Sequence, residues 1–281
     1  MKQFSSCPDL IRASTFGYLF LLFSSLPAQA ETILQGTPEQ GGLVIGKTQP
    51  GAKIKLDGHL VPLDQEGRFV LGFAREAKES AKLTVHLPNG REETRNLKIA
   101  PREWQIQRIE GLPEKQVTPD PKTLERIKKE NQLIIEARRK SLAQSLFLSG
   151  FIKPVEGVTS GVFGSQRILN GQPRAAHSGV DIAAATGTPV LAAADGLVIL
   201  AHADLFYTGQ TVMLDHGLGL NSVYAHMSAI SVKLGQKIKK GAVIGKVGAT
   251  GRATGPHLHW GLAWGEIRLD PERVLTSFPK N

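Results

Sequence analysis

The N-terminal part of the chain alternates polar and apolar residues in short runs that are separated by turn residues. Residues 53–56 (Lys-Ile-Lys-Leu) alternate in this way, and Asp57-Gly58 then favours a tight hairpin turn into residues 59–61. Residues 82–87 repeat the alternation before Pro88-Asn89-Gly90. Because successive side chains of a strand point to opposite faces, each run predicts a half-buried strand. Several such strands within residues 31 to about 105 predict a small antiparallel β-sandwich.

The period of the apolar residues changes after this region and predicts a helix. Asp120 can accept hydrogen bonds from the free N–H groups of a first helical turn, and Pro121 fits the first helical position. The apolar stripe that follows consists of Leu124, Ile127, Ile134, Ile135, Leu142 and Leu146. We therefore expect a helix over about residues 121–148, within a linker of residues 106–150. Asn131 and Arg138 interrupt the heptads, which favours a spacer helix with one buried face over a dimerising coiled coil.

From residue 151 onwards short strand-like runs alternate with glycines. Residues 183–200 and 233–247 have the turn-punctuated pattern of a compact antiparallel sheet, and we expect no helix of useful length there. The predicted fold class is mainly β. It comprises a sandwich domain (31–105), a connecting helix and a C-terminal antiparallel sheet domain (151–281).

The first 30 residues have the pattern of a signal peptide. A basic segment with Lys2 and Arg12 precedes an apolar run from Phe16 to Leu26, and Ala28-Gln29-Ala30 resembles a cleavage site. The apolar run is shorter than a membrane span, although a retained anchor remains an alternative. We expect cleavage after Ala30 and a periplasmic or secreted protein without a stable membrane span.

The formal net charge of the chain is +9, and it becomes +8 without Lys2, Arg12 and Asp9. Net basicity favours acidic partners. An exported protein seldom meets nucleic acid, so anionic envelope polymers are the better candidates. Charge that serves only solubility is the alternative.

Candidate metal ligands occur in two short motifs of the C-terminal region. His177 and Asp181 lie in His-Ser-Gly-Val-Asp, and His257 and His259 lie in His-Leu-His. On a strand, residues two apart project to the same face, so both imidazoles of the second motif can reach one site. Asp181 lies between apolar residues, and its carboxylate therefore needs a positive partner, of which a metal is the simplest. His226, in Tyr-Ala-His-Met, is a further candidate.

Three further histidines are interpreted as residues without a catalytic role. His59 and His86 fall on polar positions of the predicted N-terminal strands, which indicates surface residues. His216 lies at a predicted strand end before a glycine, where a structural hydrogen bond to Asp215 or to the backbone is favoured over catalysis.

The region from about residue 154 to residue 274 resembles the lysostaphin-like, LytM-type peptidoglycan metalloendopeptidases of peptidase family M23. The matching text consists of Ser-Gly-Val-Phe-Gly at 160–164, His-Ser-Gly-Val-Asp-Ile at 177–182, Gly-Thr-Pro-Val at 187–190, Tyr-Ala-His-Met at 224–227 and Thr-Gly-Arg-Ala-Thr-Gly-Pro-His-Leu-His at 250–259. Gly209-Gln210 and Met227 depart from the family, which often has Gly-Asn and Leu there. The resemblance does not extend to the sandwich or the helix.

The resemblance implies a zinc endopeptidase and a role for each candidate residue. His177, Asp181 and His259 are expected to bind Zn²⁺, and His226 and His257 to flank the attacking water and the scissile carbonyl. The implied substrate is a peptide cross-link of peptidoglycan, cleaved by a zinc-activated water. Directly linked stem peptides are favoured over glycine bridges, because the signal-peptide pattern points to a Gram-negative periplasm.

Two questions stay open at the level of sequence. A catalytically inactive relative that binds the wall or activates an amidase is the alternative function, although such relatives typically lose ligands. The role of residues 31–150 is the other question, and we expect them to restrain or position the active domain, or to bind envelope protein partners.

Overall fold

The structure is a computed structural model, and it describes Met1, residues 32–111 and residues 119–277. The predicted signal peptide falls on residues outside the described ranges. The described residues from Thr32 onwards belong to one compact unit.

The N-terminal region consists of two packed antiparallel sheets, which confirms the predicted sandwich. One sheet has three strands in the order β1-β2-β5, and the other has four in the order β4-β3-β6-β7. The strands are β1 (Ile33–Gln35), β2 (Leu43–Lys47), β3 (Lys53–Leu56), β4 (His59–Val61), β5 (Arg68–Gly72), β6 (Ser80–His86) and β7 (Glu92–Lys98). Asp57-Gly58 forms the predicted turn between β3 and β4, with both residues at positive φ.

The three-stranded sheet is buried on both faces. Val44 of β2 and Phe69 of β5 belong to the core between the two sheets, whereas Leu43, Ile45 and Val70 belong to the core of the C-terminal region. This division follows from the alternation of side chains along a strand. It explains why β2 and β5 read as nearly continuous apolar runs instead of alternating ones.

Helix α1 (Pro121–Arg139) follows the sandwich and begins as predicted. Asp120 caps it, because its Oδ1 accepts a hydrogen bond from the Thr123 N–H at 3.0 Å. The helix ends at Arg139, so the expected end near residue 148 was wrong. Beyond the end of α1 the chain turns towards the C-terminal sheet, where Asp215 accepts hydrogen bonds from the Ser141 hydroxyl and the Leu142 N–H, each at 2.7 Å. A separate 3-10 turn covers Leu146–Ser149.

The C-terminal region is built on a 10-stranded sheet, as the predicted mainly β class requires. Its main path runs β17-β14-β15-β16-β19-β12-β9, while β18 joins β13 and β16, and β20 pairs with β19. Its strands are β9 (Val158–Gly161), β12 (Gly179–Ala183), β13 (Pro189–Leu191), β14 (Gly196–Leu205), β15 (Gly209–Gly217), β16 (Leu220–Ile230), β17 (Lys237–Ile238), β18 (Val243–Val247), β19 (His257–Trp264) and β20 (Ile267–Leu269). A short helix, α2 (Pro271–Ser277), follows β20.

The linker before α1 also contacts the C-terminal region. Strand β8 (Ile106–Ile109) pairs in parallel with β10 (Gln166–Leu169), and β10 forms a hairpin with β11 (Gln172–Pro173). Within the described ranges, neither helix combines the length and apolar character that a bilayer span requires.

Candidate metal centre and active site

The strand register brings Asp181 and His259 face to face. Asp181 on β12 is directly opposite His259 on β19, and Ala183 is opposite His257. Residues of directly opposed pairs project to the same face of an antiparallel sheet, so the carboxylate and the imidazole meet there. His177 lies just before β12, where its N–H donates to the carbonyl oxygen of Ser165 at 2.9 Å.

Three ligand atoms converge at this point. His177 Nε2 lies 2.9 Å from Asp181 Oδ1 and 3.0 Å from His259 Nδ1, and His259 Nδ1 lies 2.8 Å from the same Oδ1. In a tetrahedral site with ligand bonds of 2.0–2.1 Å, neighbouring ligand atoms lie roughly 3.3 Å apart. The three side chains therefore need only a small expansion to hold a divalent metal, and the set is a potential metal-binding triad.

Hydrogen bonds fix which nitrogen of His177 faces the site. Its Nδ1 lies 3.1 Å from the carbonyl oxygen of Val162, so Nδ1–H donates there and Nε2 keeps its lone pair for the ligand cluster. A metal-binding histidine commonly has its second nitrogen held in this way.

The protonation states also suit a metal. Burial is the main cause that lowers the pKa of His177 to about 4, so this imidazole is neutral at neutral pH. Burial opposes ionisation of Asp181, but the close contacts of Oδ1 with His177 and His259 outweigh it and hold the pKa of the carboxyl below the ordinary value. Neutral imidazole and carboxylate are the forms that bind metals.

Arg167 is a residue of the site that the sequence analysis missed. Its Nη2 lies 2.8 Å from Asp181 Oδ2, the carboxylate oxygen that faces away from the histidines. Arg167 lies on β10, which pairs with β8 and β11 in a separate three-stranded sheet, so its contact with Asp181 joins that sheet to the 10-stranded one. Arg167 precedes the first matched histidine by ten residues, and no motif around it marks the contact.

His226 reaches the site through an irregular backbone. Ala225 is opposite His259, so in a regular strand the next residue would point to the other face, with Tyr224 and Trp260 in the core. His226 instead has φ of 63°, in the left-handed region, and its N–H donates to the carbonyl oxygen of Thr208 at 2.8 Å. This conformation costs on the order of 1 kcal/mol for a non-glycine residue and is often found at functional sites.

His226 and His257 form a second pair beside the metal-binding triad. Their ring centroids lie 4.7 Å apart, and His257 Nε2 lies 3.8 Å from Asp181 Oδ1. Nδ1 of each ring lies 2.8 Å from a carbonyl oxygen, of Thr250 and Gly255 respectively, so each Nε2 is directed away from its anchor. Burial, together with the charges of His259 and His257, lowers the pKa of His226 to about 3.

All five predicted site residues therefore lie in one cluster, and the other histidines lie elsewhere. His59 and His86 are exposed on the sandwich, as predicted. His216 is fully buried and makes the predicted structural hydrogen bond, with Nδ1 2.7 Å from the carbonyl oxygen of Asp195.

Comparisons with known proteins agree with this geometry. The sequence profile of peptidase family M23 matches residues 175–271. The DD-carboxypeptidase/endopeptidase Mpg of Neisseria meningitidis is 49% identical over 104 residues, which are 37% of this chain and 24% of the relative. The peptidoglycan DD-endopeptidase ShyA of Vibrio cholerae is 46% identical over 88 residues, 31% of this chain and 20% of the relative. The chain thus spans about a quarter or less of the length of these relatives.

A solved structure covers far more of the chain. A crystal structure from Pseudomonas aeruginosa assigned to peptidase M23 is 33% identical with a TM-score of 0.67. The similarity covers 87% of this chain and 97% of that one, so it extends well beyond the residues that the family profile matches. The chain belongs to peptidase family M23.

Proposed function

We propose that the protein is an exported zinc endopeptidase that hydrolyses peptide cross-links of peptidoglycan. The observation that carries this proposal is the convergence of His177 Nε2, Asp181 Oδ1 and His259 Nδ1 beside a second histidine pair. The names of the relatives support the substrate class, since ShyA is named a peptidoglycan DD-endopeptidase and Mpg a DD-carboxypeptidase/endopeptidase.

The donor set favours zinc among the common divalent metals. Two imidazole nitrogens and one carboxylate oxygen form the three-ligand set typical of catalytic zinc sites, whereas magnesium and calcium prefer oxygen alone. In such a site zinc acts as a Lewis acid and makes a bound water acidic enough to serve as a nucleophile near neutral pH. Arg167 holds the second oxygen of Asp181, and Val162 holds the ring of His177.

His226 and His257 would perform the proton transfers. Both rings are anchored through Nδ1, which leaves each Nε2 for the reacting groups. One Nε2 would accept the proton of the attacking water, and the other would stabilise the oxyanion or protonate the leaving amine. All five side chains are of the required type, which supports an active enzyme over the inactive wall-binding or amidase-activating alternative.

The finer assignments belong to the same proposal. We infer directly cross-linked stem peptides as substrate, hence a D,D-endopeptidase in cell-wall remodelling, and a periplasmic location after cleavage at Ala30. The domain boundaries at residues 105 and 150 and envelope partners for residues 31–150 also remain proposals.

Metal content and cleavage, measured on the same preparations, test the proposed function. We expect the purified protein to contain about one zinc per chain and to convert a defined cross-linked muropeptide to monomers that mass spectrometry identifies. His259→Ala should lose both the zinc and the cleavage. His257→Ala and His226→Ala should keep the zinc and lose at least about a hundredfold in kcat.

The two classes of variant control for each other. Wild-type cleavage by a zinc-free His259→Ala protein would disprove the metal mechanism. Wild-type turnover by His226→Ala or His257→Ala would remove that residue from the chemistry.

A further inference from the structure

The cleft beside the histidine pair is bordered by arginines that the proposed mechanism does not use for chemistry. Asp181, His226 and His257 line this cleft together with Arg167 and Arg252. Arg167 is bonded to Asp181 and so offsets the charge of that carboxylate. Arg252 brings a second guanidinium to the same cleft.

A third guanidinium lies close enough to interact with Arg252. Burial lowers the pKa of Arg252, Tyr207 opposes this change, and the charges of Arg167 and Arg174 lower the pKa further. Arg174 is tied to this wall of the cleft, because its N–H donates to the carbonyl oxygen of Arg167 at 2.8 Å. Like charges held together in a partly buried place repel one another, and an anion bound between them relieves that repulsion.

The Arg252 side chain is held in a defined orientation. Its guanidinium carbon lies 4.2 Å from the centroid of the Tyr207 ring, and the backbone N–H of Arg252 donates to the carbonyl oxygen of Tyr207 at 2.9 Å, which keeps the two residues side by side. Stacking uses the face of a guanidinium, whereas its N–H groups lie in its plane. A stacked arginine is thus preorganised for a planar, two-pronged acceptor, and a carboxylate has that shape.

We propose that Arg252 binds a free carboxylate of the substrate peptide next to the scissile bond. The subsite rests on the proposed function, because the same cleft contains His226 and His257, between which the scissile carbonyl would lie. The carboxylate belongs either to the C-terminus of the stem peptide or to an acidic side chain within it. In both cases the interaction is specific for peptides that carry an unmodified carboxylate at that place.

Amidated substrates test the subsite. Three cross-linked peptide dimers are compared: one with all carboxylates free, one amidated at the C-terminus, and one amidated at its side-chain carboxylates. Equilibrium binding to the full-length protein is measured by calorimetry, and kcat and KM are measured separately. We expect one amidation to weaken wild-type binding by about 10- to 100-fold, the range of a charge-assisted hydrogen bond. The amidation that does so identifies the source of the carboxylate.

Variants of Arg252 then test whether this residue causes the weaker binding of the amidated dimer. Arg252→Gln should weaken binding of the free-carboxylate dimer and raise its KM by a similar factor, while changing binding of the sensitive amidated dimer less than about threefold. Arg252→Lys should restore part of the discrimination. Lys98→Gln removes one exposed positive charge from β7 of the sandwich and should behave as wild type.

The outcomes separate this inference from the proposed function. Equal binding of all three dimers by the wild type, or equal discrimination by wild type and Arg252→Gln, would overturn the carboxylate subsite. The protein could instead bind the free-carboxylate dimer more tightly than the amidated one and yet cleave neither. That result would contradict the proposed endopeptidase activity and support the carboxylate subsite.

Discussion

At the scale of single residues, Asp181 is the centre of the site because each of its oxygens has a different task. Oδ1 faces the two histidine ligand atoms, and Oδ2 is bonded to Arg167. A carboxylate this buried requires positive partners on both sides. Arg167 supplies one of them through the fold itself, and the metal would supply the other.

Because Arg167 and the metal would each offset part of the charge of Asp181, the stabilising effect of Arg167 should depend on the metal. Arg167→Met should lower the free energy of unfolding of the metal-free protein by about 3 kcal/mol, because it leaves a buried carboxylate with one fewer cation. The loss should be clearly smaller in the zinc-loaded protein, in which the metal offsets the same charge. Urea unfolding of both forms measures this difference, with Lys98→Met as the control. Equal losses with and without zinc would show that the two cations do not share Asp181.

His216 shows that a buried histidine need not be catalytic, and it predicts a pH dependence. Burial lowers its pKa to about 4, while its Nε2 lies 2.7 Å from the Ser222 hydroxyl. The folded state therefore resists a proton that the unfolded chain accepts near pH 6.5. Its contribution to stability is present above pH 6.5 and is lost as the pH falls towards 4.

We expect His216→Gln to flatten this dependence. Between pH 7 and pH 5 the wild type should lose about 2 kcal/mol more of its unfolding free energy than the variant. Urea titrations at both pH values provide the measurement. His59→Gln removes an exposed imidazole as a control, and an equal slope for His216→Gln and the wild type would contradict the assignment.

At the scale of elements, helix α1 contacts the hairpin loop that borders the site. Glu130 Oε2 accepts a hydrogen bond from the Phe206 N–H at 2.8 Å, in the loop between β14 and β15. The carbonyl oxygens of the next two loop residues, Tyr207 and Thr208, accept hydrogen bonds from the N–H groups of Arg252 and His226. A single loop thus connects the linker helix to two residues of the cleft.

Removing the Glu130 carboxylate should loosen this connection. We expect Glu130→Ala to keep its zinc but to lose roughly threefold to tenfold in kcat/KM, because His226 is less well positioned. Glu136→Ala is the matched control, since it removes an exposed carboxylate from the same helix at equal helix propensity. Unchanged kinetics in Glu130→Ala would show that the helix does not position the loop.

At the scale of the whole molecule, the sandwich and the C-terminal sheet share one core. Leu43, Ile45 and Val70 of the sandwich pack in the cluster that contains Trp260 and Leu269. Arg102 Nη2 also bonds Asp270 Oδ2 at 2.9 Å across the same boundary. The predicted division at residues 105 and 150 therefore does not coincide with a gap in the core.

The shared core predicts a single cooperative unfolding transition for the full chain. The fragment of residues 151–281 should unfold at a temperature at least about 10 °C lower, because it exposes the apolar surface that β2 and β5 cover. Its wall binding and cleavage rate should also fall below those of the full chain. Differential scanning calorimetry and muropeptide assays measure both effects, and a fragment that equals the full chain would show that residues 31–150 neither stabilise nor position the site.

The sequence by itself determined the class of the fold and five residues of the site. Alternation predicts the strands of the sandwich, Asp120-Pro121 predicts the start of α1, and the spacing in His-Leu-His predicts two imidazoles on one strand face. These features are local, so residues near in sequence suffice to specify them. The tertiary structure decided the end of α1, the pairing of Arg167 with Asp181, the left-handed backbone of His226 and the stacking of Arg252 on Tyr207. Each of these depends on strands or loops distant in the chain, whose contacts exist only after the sheets have assembled.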